Sequence, residues 1–106
     1  MILKYYCVTF DIRGSRNRTG DYEKARRALK TVVGKDNYFR LMMQGCVVRT
    51  DQSAADLRDA IKIKLASGVN VLVMKLASGF AISIRDPKTR KIAGTLLREV
   101  DRIEIK

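Results

Sequence analysis

The fold class that the sequence predicts is α+β: a ferredoxin-like (βαββαβ-type) sheet with two helices on one face, plus a C-terminal extension. Three observations carry this expectation. Segments with a two-residue apolar period alternate with segments of three-to-four-residue period along the chain. A length of 106 residues leaves room for one domain and one core. A hydrophobic fraction of 46% is that of an ordinary globular chain, and no apolar run is long enough to span a bilayer.

Leu3 to Ile12 reads as a strand. Tyr6, Val8, Phe10 and Ile12 share a core face, while Tyr5, Cys7, Thr9 and Asp11 share a mixed one. Arg13 to Gly20 is a loop of turn formers and arginines. Asp21 to Val33 predicts a helix, because Tyr22, Ala25, Leu29, Val32 and Val33 recur at helical spacing and Gly34 supplies a stop. Lys24, Arg26, Arg27 and Lys30 fall on its other face. Tyr38 to Arg49 is strand-like again, with Gly45 marking a bulge or a close backbone approach.

Ser53 is suited to cap a second helix, and Asp56 completes a capping-box-like pair. Leu57, Ala60, Ile61 and Leu65 form its apolar stripe, and Gly68 ends it. Val69 to Leu76 is apolar on both faces, as in a central strand. Phe80 to Ile84 predicts a further strand, and Asp86-Pro87-Lys88-Thr89 a turn. Ile92 to Ile105 fits either a helix with a final strand or one long strand. The expected organisation is one domain over residues 1–106, with a core of 1–84 and an extension of 85–106. Tyr5, Cys7, Thr9 and Asp11 make the sheet face away from the helices too apolar to be wholly wet, so a sheet-to-sheet homodimer is expected to cover it.

Twenty-two Lys and Arg against eleven Asp and Glu leave a net charge of +11. Such an excess repels itself unless something anionic answers it, and phosphate backbones are the commonest answer. Ribosomal, membrane-surface or merely solubilising roles would produce the same charge; nucleic acid is the expected partner, with no membrane. Arg13, Arg16 and Arg18 stand among Gly, Ser, Asn and Thr, whose short side chains let phosphates approach the backbone. Arg26, Arg27 and Lys30 extend the same track. The competing reading of both groups is a solvated charge run. Without tryptophan, and with the tyrosines and phenylalanines mostly in core positions, a base-stacking platform is disfavoured; backbone contacts to a duplex fit better.

The absence of histidine excludes imidazole acid–base catalysis and, with no Cys-x-x-Cys pair, disfavours a structural zinc site. Cys7 and Cys46 sit in strand-like runs and read as buried thiols of a reducing compartment. The start of the chain lacks the features of a signal peptide, so a cytoplasmic location is expected.

Several residues together resemble a known family. Phe10-Asp11-Ile12 resembles the signature ending the first strand of the small CRISPR-associated nuclease-like proteins. Tyr22-Glu23-Lys24 through Leu29-Lys30 is similar to that family's first helix. Gln44-Gly45-Cys46-Val47-Val48 is similar to its second strand, with Cys46 in a serine position and Val48 in place of an aromatic residue. Ser53 to Arg58 and Val71-Leu72-Val73 follow in the family's order. The stand-alone SinR-like relatives, which share the fold with virulence-associated protein D, are similar too. The resemblance implies a nucleic-acid-binding homodimer that works beside an integrase-type partner in CRISPR defence. It also implies weak Mg2+-dependent endonuclease activity, with Asp11 as the catalytic, metal-binding residue and two copies meeting across the dimer axis. Magnesium needs only one or two carboxylates and water. The competing reading of Asp11 is a cap on the next turn, or a partner for Arg13 or Arg16. A non-catalytic adaptor and a ribonuclease toxin like virulence-associated protein D are the alternative functions.

Overall fold

A computed structural model describes residues 2–12, 18–65 and 69–106. The alternation of tyrosine, valine, phenylalanine and isoleucine with smaller or polar residues gives β1 (Lys4–Ile12), whose Tyr6, Val8, Phe10 and Ile12 side chains are almost wholly buried. Helix α1 (Arg18–Val33) follows. It begins earlier than its apolar stripe suggests, taking in Thr19 and Gly20. It stops where expected: Gly34 takes φ +92°, a left-handed turn that side chains resist, and the Asn37 side-chain amide donates to the Val33 carbonyl at 2.9 Å. A 3-10 turn (Lys35–Asn37) leads into β2 (Tyr38–Met42).

The stretch expected as one strand is a hairpin, β2 and β3 (Gly45–Thr50), reversing at Met43-Gln44. No Asn-Gly or Asp-Gly announces that turn, so the periodicity runs on through it. The bulge falls on β2 between Arg40 and Met42, while Gly45 is the point of close approach. A Cβ there would stand 3.1 Å from Cγ of Met42 and 3.5 Å from Cγ2 of Thr9.

Helix α2 (Ala54–Lys62) is capped as expected, Ser53 Oγ accepting from the Asp56 N–H at 3.1 Å. The expected stop, Gly68, lies outside the described residues. Strand β4 (Val69–Lys75) is an edge strand, not a central one. The sheet order is β2-β3-β1-β4, and all three pairings are antiparallel. Val69, Val71 and Val73 pack on the core, whereas Leu72 and Met74 on the other face stay about half exposed. The expected strand at 80–84 shrinks to β5 (Ala81–Ile82), which pairs in parallel with β6 (Glu104–Ile105) in a separate small sheet.

The ambiguous C-terminal stretch forms a helix and a short strand. Asp86 caps α3 (Pro87–Leu96), accepting from the Thr89 N–H at 3.1 Å and the Thr89 hydroxyl at 2.7 Å, and Pro87 occupies the first turn. The expected turn at 86–89 is this helix start.

Two cores result. Tyr6, Val8, Phe10 and Ile12 of β1 meet Ala25 and Leu29 of α1 and Leu57 and Ile61 of α2 on one face. Each fully buried aliphatic side chain there contributes about 1.5–3 kcal/mol. On the opposite face, Tyr5, Phe39 and Val47 meet Ala93, Leu96 and Leu97 of the C-terminal segment. The cover assigned to a second copy thus comes, at the Tyr5 end, from α3 of the same chain. Cys7, Thr9 and Asp11 remain half-buried beside exposed Leu72 and Met74.

Candidate nucleic-acid interface

Strand β2 is the sheet edge nearest α1 on one face and α3 on the other, and cations gather on both sides of it. Residues at spacings of three and four place Glu23, Arg26, Arg27 and Lys30 on one side of α1. With Tyr38 they line a cavity of 230 Å³. The sequence grouped Arg26 with the solvated cations. The structure separates it: Arg26 is only 8% exposed, while Arg27 and Lys30 are exposed.

The reason is the hairpin turn. Arg26 Nη1 donates to the Met43 carbonyl at 2.7 Å, drawing the guanidinium under the β2–β3 reversal. Among the described residues no carboxylate lies within ion-pair distance of Arg26; the ion pairs there are Arg58–Asp59, Arg98–Glu99 and Lys106–Glu104. A guanidinium with a neutral acceptor and no anion is the kind of group that a buried position ordinarily pairs.

Arg40 joins this side. Its cross-strand partner is Cys46, which belongs to the helix-covered core, and opposed residues point to one face. Beneath it, the Cys46 thiol donates to the Tyr38 hydroxyl at 3.6 Å. Burial pushes the Cys46 thiol up to about 11, with the Tyr38 contact, Arg26 and Arg40 drawing it back weakly. Burial likewise pushes the Tyr38 hydroxyl well above the ordinary phenol range. Both groups are therefore protonated at neutral pH and serve the site as neutral, rigid flooring. Cys7 is half-buried and also free.

On the other side of β2, Lys35, Arg49 and Lys91 line a second cavity of 460 Å³, which also touches Tyr38. Arg49 is held by Asn37, whose Oδ1 accepts from Nε at 2.9 Å and from Nη2 at 2.8 Å. The result is a band of seven cations around one strand edge: Arg26, Arg27, Lys30, Lys35, Arg40, Arg49 and Lys91, against Glu23 and Asp36. Sequence reasoning found the α1 members and missed the rest. Lys91 fell between the expected turn at 86–89 and the ambiguous stretch from Ile92, and Arg40 and Arg49 were read only as strand residues.

Of the other expected site residues, Arg13 and Arg16 lie outside the described residues, and only the backbone of Arg18, the first residue of α1, is described. Asp11 is half-buried at the far end of β1, opposite Asn70. Tyr38 aligns through Val48 with Tyr6, five residues from Asp11 along β1, or about 17 Å. That separation holds for the Tyr38 end of the band; at the Arg26 end, the Gln44 carbonyl next to Met43 accepts from the Phe10 N–H at 2.8 Å, and Asp11 follows on the opposite sheet face. Among the described residues no group of three or more His, Cys, Asp or Glu converges. Asp11 would offer Mg2+ one carboxylate, the ion keeping several of its waters.

No helix among the described residues is long and apolar enough to cross a membrane. No family model, curated protein or solved structure matches the chain.

Proposed function

We propose that the protein binds nucleic acid through the cation band around β2, contacting phosphates rather than base edges. The observation that carries this reading is Arg26, a nearly buried guanidinium without a carboxylate, opening onto a cavity flanked by Arg27 and Lys30. Phosphate oxygens supply the anion that the chain does not, and arginine forks them well. Flanking lysines and arginines spaced along α1, β2 and α3 suit a ligand that carries charge at regular intervals. A duplex does so without demanding the exposed aromatic platform that single strands use.

The fold reading accompanies this. The order β2-β3-β1-β4, with α1 and α2 on one face, is read as ferredoxin-like, with α3 as an added cover on the other face. The resemblance to the small CRISPR-associated proteins supports the same choice of ligand, and a homodimer through the half-exposed strip of Cys7, Thr9, Leu72 and Met74 belongs to that reading. Cleavage would rest on Asp11, on the sheet face opposite Arg26, so the function assigned to the band itself is binding.

The test is duplex affinity against salt for the wild type and for Arg27→Ala/Lys30→Ala. Both side chains are exposed, so the fold should stand. If they contact phosphates, the logarithmic salt slope falls by about 0.9 per lost contact, equally for unrelated sequences. An unchanged slope, or no duplex binding by the wild type at low salt, sinks the proposal.

A further inference from the structure

The larger cavity has a composition that phosphate contacts alone do not explain. Its volume of 460 Å³ lies within the range of small-molecule sites. Its walls divide by chemistry. Lys35, Arg49 and Lys91 stand along one part, and Ile92 with Leu96 forms another. Ile92 is 49% exposed, a large apolar side chain left on the cavity face of α3. Asp36 is the one carboxylate among the lining residues, and among the described residues it forms no ion pair with the nearby lysine.

We propose that this cavity binds a nucleotide unit, with its phosphate on Arg49, Lys35 and Lys91 and its base against Ile92 and Leu96. The site shares Lys35, Arg49 and Lys91 with the band and so rests in part on that reading, but Arg26, Arg27 and Lys30 do not line it.

Three features select this ligand. Arg49 is preset: two of its N–H groups are committed to Asn37, so the guanidinium plane is fixed and its remaining donors are available in a fork that matches phosphate oxygens. A bare inorganic anion would leave Ile92 wet, so affinity has more to gain from an apolar body than from charge alone. A fatty-acid-like anion would cover that surface but offer nothing to Asp36. A nucleobase covers it and also presents amino or imino N–H donors to a carboxylate.

The experiment is titration of the whole chain with AMP and GMP, with adenosine and inorganic phosphate as controls, followed by calorimetry. Mononucleotides should bind at least tenfold more tightly than either control. Lys91→Glu and Ile92→Glu should each reduce mononucleotide affinity at least tenfold. Both lie on an exposed helix face, so neither endangers the fold, and thermal melting verifies that. Arg49→Lys, which loses the fork but keeps the charge, should weaken binding several-fold. Mononucleotide binding by Arg27→Ala/Lys30→Ala, whose residues line only the α1-side cavity, should stay at the wild-type level and keeps this proposal distinguishable from the duplex reading. A 5′-phosphorylated single strand that displaces the mononucleotide assigns the seat to a strand end; bound mononucleotide without displacement assigns it to the free nucleotide. No mononucleotide binding up to roughly 1 mM, equal binding of inorganic phosphate, or wild-type affinity in Lys91→Glu and Ile92→Glu would overturn the proposal.

Discussion

Arg26→Met separates a binding role from a structural one, because the two predict opposite changes in stability. Methionine keeps the length and much of the packing of the arginine stem while removing the charge. Two terms change. The charge-assisted hydrogen bond to the Met43 carbonyl is lost, at about 1.5–3 kcal/mol. Against it, the free protein no longer buries a cation without an anion, a desolvation penalty of several kcal/mol in a closed interior. The adjoining cavity wets part of the guanidinium, which puts the penalty toward the low end. Met43 is exposed, so water can satisfy its carbonyl once the arginine is gone. The balance is a free protein that is unchanged or more stable by about 1 kcal/mol, which for a chain near this length is a rise of roughly 4–8 °C in Tm. Duplex affinity should nevertheless fall, with about 0.9 lost from the salt slope. Chemical denaturation with fluorescence or circular dichroism gives the first quantity, and anisotropy titration at several salt concentrations the second. A loss of more than about 2 kcal/mol with an unchanged salt slope would refute the reasoning, making Arg26 a structural tie between α1 and the hairpin.

Leu97→Ala should destabilise the chain by about 2–5 kcal/mol, since Leu97 is wholly buried among Tyr5, Phe39 and Val47; a small loss by urea titration would mean that α3 is not integral to the sheet. Asp86 is held below its usual pKa, first by the Thr89 hydroxyl and then by the Thr89 N–H. Its contribution is therefore present above the unfolded-state pKa and lost as pH falls through the lowered folded value, so Asp86→Asn should flatten the acid side of the Tm–pH curve while retaining a cap. Asp11→Asn should abolish any Mg2+-dependent cleavage and leave duplex binding intact; cleavage that survives in the purified variant would remove Asp11 from the chemistry.

What the sequence made legible was whatever one strand or helix decides by itself. The core face of β1, the Gly34 stop and the Ser53 cap are local matters of periodicity, backbone freedom and a side chain meeting a nearby N–H. What it hid depends on partners distant in sequence. The β2–β3 reversal uses Met43-Gln44, residues with no turn signature, and is fixed by the Phe10 N–H donating to the Gln44 carbonyl at 2.8 Å. Strand β4 looks central because both of its faces are apolar, yet it lies at an edge with Leu72 and Met74 half exposed. Alternation reports how apolar a face is, not which element covers it.

The same distinction explains the site. Charge counting finds that cations are abundant, and helical spacing finds that Arg26, Arg27 and Lys30 share a side of α1. Neither reveals that Arg26 turns inward, because the group that draws it in is a backbone carbonyl seventeen residues away. Nor do they reveal that Arg49 and Lys91, forty-two residues apart, line one cavity. That pairing exists because α3 folds back over the sheet face instead of leaving it bare. The helix that covers the second core is thus also the helix that completes the band: remove its apolar side, Ala93, Leu96 and Leu97, and Lys91 has nothing to hold it beside Arg49. On the proposed reading, binding and stability are coupled through α3, and a core substitution such as Leu97→Ala should therefore weaken ligand binding on the α3 side before it disturbs the α1 side.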